Sequence, residues 1–349
     1  MIKVKTSDFL NILKKVKHAV DPKERIELTN MFIFQDDIVY AYNDEFAVIH
    51  PLPMKTGIVG GVRAKEFINF IGKVGDPEIK ISVQEPEKNK LHTSMLIEGS
   101  NFESKFVLYK TDFLLKEIKI PDKWYDLPGN FLSALKTVTL AVSKNLSTPI
   151  FACVHWKNNI LEATDNFRLV QYKLQGDYPF DVSIFGDIIS KVLNYDEVLQ
   201  VAPSDNFLMF KTGNGIILAA RLYTGDYPDL EQIKSRFAEK MQDGVTITFS
   251  DGFIDAVERA EVLAAADELG DKYIDLKIAG KNVEIVSASE IGSYKEMLAI
   301  DTEVKPVSFS ARADLFKDVL KLTKEAVLSK DLDALSFETD ELYHLVLLG

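Results

Sequence analysis

The chain has 349 residues, of which 46% are hydrophobic and 27% charged, with a formal net charge of −12. That mix belongs to an ordinary globular protein and excludes a disordered or collagen-like chain. No apolar run reaches the roughly 18–20 residues that span a bilayer, and the single cysteine, Cys153, excludes an internal disulfide and fits a reducing cytoplasm.

The chain opens on MIKVKTSDFLNILKKVKHAV, an amphipathic helix whose Phe9, Leu13, Val16 and Val20 follow the i, i+4, i+7, i+11 positions of one face. Lysines within it exclude the uninterrupted apolar core of a signal peptide. Two strands follow, Met31–Phe34 and Val39–Tyr42, turning at Gln35-Asp36-Asp37. A second helix is expected over Lys65–Gly72, then strands at Glu78–Val83 and Lys105–Tyr109. A Pro/Asp/Gly-rich joint runs from Ile120 to Gly129.

The same order then recurs. Phe131, Leu135, Val138 and Val142 mark a helix, and strands Phe151–His155 and Ile160–Ala163 flank Lys157-Asn158-Asn159. A helix over Asp187–Leu193 precedes strands Glu197–Val201 and Ile216–Leu222. A second joint extends from Gly225 through Pro228 to about Gly244 and reads as loop. In the last third, Phe253, Val257, Ala260 and Ala264 repeat the helix frame, and strands Tyr273–Ile278 and Val283–Ser287 flank Gly280-Lys281-Asn282. A helix over Asp314–Leu322 and strands Ala334–Glu338 and Tyr343–Leu347 complete the chain.

Phe9, Phe131 and Phe253 are each 122 residues apart, so one folding unit is used three times. The expected architecture is α+β, three similar domains of two helices and antiparallel strands, divided at 1–122, 123–240 and 241–349.

An acidic total argues against nucleic acid unless the basic residues gather on one surface. On the first helix Asn11, Lys14, Lys15 and His18 lie opposite the apolar stripe, and the second repeat carries Ser133, Lys136 and Thr137 there, with Lys144 just beyond. Lys317, Lys321 and Lys324 sit at i, i+4 and i+7 of the last helix, and Arg63, Lys65, Lys73 and Lys191 lie at the other second helices. The acid falls in loops, at Glu24, Asp36, Asp37, Asp44, Glu45, Asp226, Asp229 and Asp267. An acidic exterior with locally basic helices is a workable charge plan for a ring around DNA.

Reactive constellations are missing from the sequence. The histidines at 18, 50, 92, 155 and 344 have no metal-site spacing, and Gly57-Ile58-Val59-Gly60-Gly61 lacks both the P-loop lysine and the dinucleotide-binding spacing. No GxSxG elbow occurs, and Asp165 has no second carboxylate at a useful distance. The expectation is a binding scaffold, not an enzyme, with no metal and no cofactor.

The segment Leu161-Glu162-Ala163-Thr164-Asp165-Asn166-Phe167-Arg168-Leu169 resembles the ATDG[YH]RL stretch of bacterial-type DNA polymerase sliding clamps, the polymerase III beta subunit family. Phe131–Asn145 followed by Pro149-Ile150-Phe151 is similar to that family's domain-two opening, and Arg221–Asp229 to its RLIDGxFPDY signature. The resemblance implies a head-to-tail homodimer forming a closed six-domain ring that encircles double-stranded DNA without sequence preference. It also implies a processivity role in the cytoplasm, tethering a polymerase and a clamp loader through short linear peptides. The partner groove would use Phe151, Thr164, Asn166, Phe167, Arg168 and Leu169 with Leu345, Val346, Leu347 and Leu348.

The ring joint would bring Lys105, Phe106, Val107 and Leu108 of one copy against Val262 and Leu263 of the other. Val262 stands out independently as an apolar residue on the polar side of its helix. The DNA-facing residues would be Lys14, Lys15, Arg25, Lys65, Lys73, Lys136, Lys144, Lys317, Lys321 and Lys324. Asn166 stands where the family has Gly, Phe167 where it has Tyr or His, and Leu345–Gly349 replaces its MP[MV]R[LI] ending. Those departures point to a different peptide preference, such as that of a bacteriophage replisome. The competing readings are a monomeric adaptor of the same domain type and a carboxylate-dependent nucleic-acid-modifying enzyme using Asp165.

Overall fold

The computed structural model describes residues 1–85, 93–110, 118–266 and 270–349; Asp267 and His92 lie outside them. Seven helices occur among the described residues: α1 (Thr6–Val16), α2 (Ala64–Ile71), α3 (Phe131–Thr139), α4 (Gly186–Val192), α5 (Leu230–Gln242), α6 (Phe253–Leu263) and α7 (Ala313–Leu320). None is long and apolar enough to cross a membrane.

The threefold period survives into the backbone. Phe9, Leu13 and Val16 of α1, Phe131, Leu135 and Val138 of α3, and Phe253, Val257 and Ala260 of α6 are all buried. The fourth member of each frame, Val20, Val142 and Ala264, falls just past its helix end. The hairpin turns repeat too: Asp36, Asn158 and Gly280, again 122 residues apart, take left-handed φ values of 55°, 51° and 60°. Asn, Asp and Gly tolerate that region where β-branched residues do not.

Two compact units are present, residues 1–132 with 187–222, and 133–186 with 223–349. Each is built on an eight-stranded antiparallel sheet. The first runs 59–63, 31–35, 38–42, 46–51, 217–221, 207–212, 198–203, 125–126, and a separate four-stranded sheet orders 2–5, 78–84, 94–98, 103–107. The second unit's large sheet runs 181–185, 153–157, 160–164, 168–173, 342–347, 334–338, 325–328, 245–248. Each large sheet thus takes four strands from one repeat and four from the next, so the units do not coincide with the repeats.

Strands Tyr273–Ser289 and Gly292–Arg312 pair with each other, with register shifts near Gly280. Lys277 Nζ nevertheless lies 3.9 Å from Glu284 Oε2. Seven residues along a straight strand cover about 23 Å, so the chain doubles back at Gly280, where the sequence places a turn. In the first unit the core on α1 and α2 centres on Phe67, whose ring meets Phe9 at 6.1 Å and Phe106 at 5.0 Å. In the second, Phe249, Phe253, Phe316 and Phe337 are fully buried together.

The structure corrects three boundaries. Phe151 lies in a 3₁₀ turn, Pro149–Ala152, and its strand begins only at Cys153. The segment after Asp229 is not loop but α5. And α7 ends at Leu320, so Lys321 and Lys324 lie beyond it and do not continue a helical stripe with Lys317.

Candidate functional site

The Thr164–Leu169 segment forms a turn that holds itself. Asp165 Oδ1 accepts the backbone N–H groups of Phe167 and Arg168, both at 3.0 Å, and Thr164 Oγ1 donates to the Arg168 carbonyl at 2.7 Å. Asn166 sits at φ 73°, which explains an Asn where glycine would also serve. Asp165 Oδ2 also takes the Arg168 Nε at 3.1 Å, and the other arm of that guanidinium reaches Asp318 of α7 at 2.9 Å. The hydrogen bonds of the Asp165 carboxylate thus stay within the turn. Among the described residues no cluster of His, Cys, Asp and Glu could hold a metal ion.

The turn presents Phe167. Its ring is 38% exposed, and the Arg312 guanidinium lies 4.9 Å from its centroid. Arg312 is itself anchored between Asp271 and Asp314. The Phe167 carbonyl accepts the Leu347 N–H at 2.8 Å, which continues the pairing of Leu169 with Leu345 and Arg168 with Val346. The ATD-like turn and the C-terminal strand are thus one hydrogen-bonded ladder.

Strand parity then divides the expected groove residues. Leu169, Leu345 and Leu347 share one face, whereas Val346 and Leu348 pack into the opposite core with α7. Val346 is fully buried and Leu348 turns away, so neither belongs to the groove surface. The exposed-side face is not bare either. Leu230, Ile233, Phe237 and Met241 of α5 pack on Leu169, Ala334, Tyr343, Leu345 and Leu347. Those four residues fall at i, i+3, i+7 and i+11 behind an N-cap, Asp229, whose side chain accepts the Gln232 N–H at 3.2 Å. That signal was present in the sequence, hidden by the Pro/Asp/Gly run before it.

Beside this apolar face runs a polar row formed by cross-strand partners Ser183, His155, Glu162, Gln171 and Tyr343. Gln171 Nε2 donates to Glu162 at 2.9 Å and to Glu231 of α5 at 2.9 Å. His155 stacks on Tyr227 at 4.4 Å and points Nε2 at Asp181, 3.2 Å away. Burial pushes the Glu162 carboxyl up to about 7, with the neighbouring Glu231 adding to the effect against the Gln171 hydrogen bond. Burial lowers His155 despite Asp181.

The repeat builds a counterpart of this turn 122 residues earlier. Asn43 Oδ1 accepts the N–H groups of Glu45 and Phe46 at 3.3 and 2.9 Å, Asp44 has φ 74°, and the Glu45 carbonyl accepts the Arg221 N–H at 2.9 Å. There the protruding side chain is Glu45, and the Arg221 guanidinium binds Asp44 and the Tyr42 hydroxyl. This second seam is polar.

Of the basic residues, Lys14, Lys15, Lys65, Lys73, Lys136, Lys144 and Lys321 are exposed and form no ion pair among the described residues. Arg25 is exposed at 4.0 Å from Asp21. Lys317 is partly buried and paired with Glu261 of α6, and Lys324 is paired with Asp251. Lys317 and Lys324 are therefore engaged by carboxylates of the chain itself, a correction to their reading as a free stripe. Thr137 is buried, not on the outer face.

Strand 103–107 is the outermost of its sheet and leaves Val107 41% exposed, with Phe106 packed on Phe67 and Phe70. Leu108 is buried and unavailable to a partner. Val262 is 65% exposed at the end of α6 and Leu263 is half-buried. In the same unit Ile291 and Met297 are 79% and 57% exposed, two apolar surface residues the sequence reading did not single out.

No protein-family model and no curated protein sequence matches the chain. Solved structures do match over its whole length. A DNA polymerase sliding clamp from Bacillus subtilis superposes with a TM-score of 0.82 at 19% identity, covering 99% of this chain and 98% of that one. The DNA polymerase III beta chain of Streptococcus pneumoniae gives 0.81 at 20% identity, with coverage of 99% and 98%. A sliding clamp from Bartonella birtlesii bound to griselimycin gives 0.83 at 18%, with coverage of 100% and 99%. The fold is that of a three-domain bacterial clamp.

Proposed function

We propose that this chain is a DNA sliding clamp. Two copies join head to tail into a ring of six domains, divided in each chain at 1–122, 123–240 and 241–349. The ring encircles duplex DNA in the cytoplasm and tethers a polymerase and a clamp loader through the face beside Phe167, Leu169, Leu345 and Leu347. The whole-length clamp fold is the observation that carries this reading. Exposed lysines on α1, α2 and α3 support it, because a ring that slides needs few, sequence-blind phosphate contacts. The chain itself turns nothing over. Retention is topological, and the tethered polymerase rebinds at high effective concentration.

The decisive experiment loads the protein on nicked circular plasmid with its cognate loader and then cuts the circle. Release on linearisation supports encirclement; release before cutting, or retention on linear DNA, removes it. The joint is tested by light scattering. The wild type should run at twice 39.3 kDa, and Val107→Asp combined with Val262→Asp should run as a single subunit.

The DNA-facing assignment has its own measure. Alanine at Lys14, Lys15, Lys65 and Lys136 should flatten the slope of log affinity against log salt by about 0.9 per lost phosphate contact. Lys317→Ala should leave that slope unchanged and lower stability, since its partner is Glu261.

A further inference from the structure

Helix α5 covers the very face that a partner peptide would use. It does so with four side chains, of which only Leu230 is fully buried; Ile233, Phe237 and Met241 are partly exposed and the rest of the helix is polar apart from the exposed Ala238. Elements held by so few apolar contacts lie at the low end of local stability. Two further observations point the same way.

First, the fit is imperfect where it is most closely packed. Gln171 Oε1 and Tyr343 Oη, both beneath or beside α5, are buried and find no hydrogen-bonding protein partner among the described residues. Native interiors leave few such atoms, and each one weakens the packed state that creates it. An incoming peptide backbone could donate to Gln171 Oε1 and exchange a hydrogen bond with Tyr343, which α5 does not.

Second, the fastenings of α5 are of the releasable kind. At its C-terminal end Lys240 pairs with Asp331 at 3.1 Å and with Asp333, all partly exposed. Near its start Glu231 shares the Gln171 amide with Glu162, and Lys234 lies 4.7 Å above the Tyr343 ring. Exposed ion pairs contribute little. A helix of 13 residues is marginal once undocked, so opening also melts it and frees the chain to swing aside.

We propose that α5 is a displaceable lid. In the free protein it occupies the apolar face of Leu169, Tyr343, Leu345 and Leu347, and a partner binds by competing it away with an apolar peptide. This rests on the reading of that face as the tethering site and adds that access to it is regulated by the chain itself. The lid also sets a threshold. A weak apolar peptide fails to displace a covalently attached competitor, whereas one that also satisfies the orphaned polar atoms succeeds.

The test uses the lid as its own ligand. A synthetic peptide of residues 229–243 is titrated against the intact wild type and against Phe237→Asp, whose own α5 cannot dock. The variant should bind the peptide at least about tenfold more tightly than the wild type, by the logic of intramolecular competition. Equal or absent binding to both overturns the lid. Should Phe237→Asp not fold, Ile233→Asp replaces it, and hydrogen exchange on the wild type decides independently. Amides of 230–242 should exchange at least about tenfold faster than those of 342–347, and equal protection makes α5 a fixed wall. Plasmid retention of the same variant separates the two ideas. Peptide capture without retention sinks the clamp and leaves the lid, and retention without capture does the reverse.

Discussion

Arg168→Met should lower the unfolding free energy by about 3 kcal/mol, the lower end of what removing one partner from a buried ion network costs. The guanidinium is 9% exposed and bonds Asp165 on one side and Asp318 on the other. Methionine keeps the volume but leaves Asp165 and Asp318 without their shared counter-charge, and Asp318 is the better solvated of the two at 30% exposed. Because Asp165 also fixes the backbone that extrudes Phe167, peptide binding should fall along with stability. Urea titration followed by Trp156 fluorescence reads the first effect. Asp318→Asn is the informative companion: it should cost less, and an equal cost would place the stabilisation in Asp318 and not in the turn.

The second large effect is a pH dependence with two opposed sources. Glu162 has a folded value of about 7 against an ordinary 4.5, so the native state binds the extra proton between those values. Stability from this group is therefore greatest in acid and falls as pH rises from about 4.5 through 7. His344 works the other way. It is fully buried, burial and then Arg168 lower it to about 3, and neither ring nitrogen has a hydrogen-bond partner among the described residues. The unfolded chain takes up that proton first, so stability is lost as pH falls from about 6.5 toward 3.

The wild type should thus be most stable between these limits. Glu162→Gln should gain roughly 2 kcal/mol on the wild type at pH 8 compared with pH 5. His344→Leu should remove this group's share of the acid loss and, by removing two unsatisfied nitrogens, gain about 1 kcal/mol at neutral pH. Denaturation at pH 4, 5, 7 and 8 checks both. A Glu162→Gln difference that does not vary with pH would mean the carboxyl titrates normally.

Much of this was legible in the chain because the determinants are local. The 122-residue period fixes the first helix of each repeat, and Asp36, Asn158 and Gly280 mark turns whose left-handed backbone only a few residue types accept. The Thr164–Leu169 segment stood out only through its resemblance to the ATDG[YH]RL stretch, not through a local turn signal. What sequence reasoning missed depends on partners far along the chain. Lys317 and Lys324 look free on a helical projection but meet Glu261 and Asp251, 56 and 73 residues away. Val346 in the right strand and Leu348 just past its end lie on the wrong side, a distinction set by parity once the pairing with Leu169 is known. Helix α5 had the right periodicity and a good cap, yet with one strongly buried residue its frame is faint beside those of α1 or α6.

Gene triplication would ordinarily hand a protein identical copies of every surface it invents. Here the two sheet-joining corners keep one backbone turn but differ at every side chain, and the one thrust outward is Glu45 in the first and Phe167 in the second. Of these two corners, only the second offers a client an oily foothold. Were two copies to join, such corners would supply two apolar berths and not four.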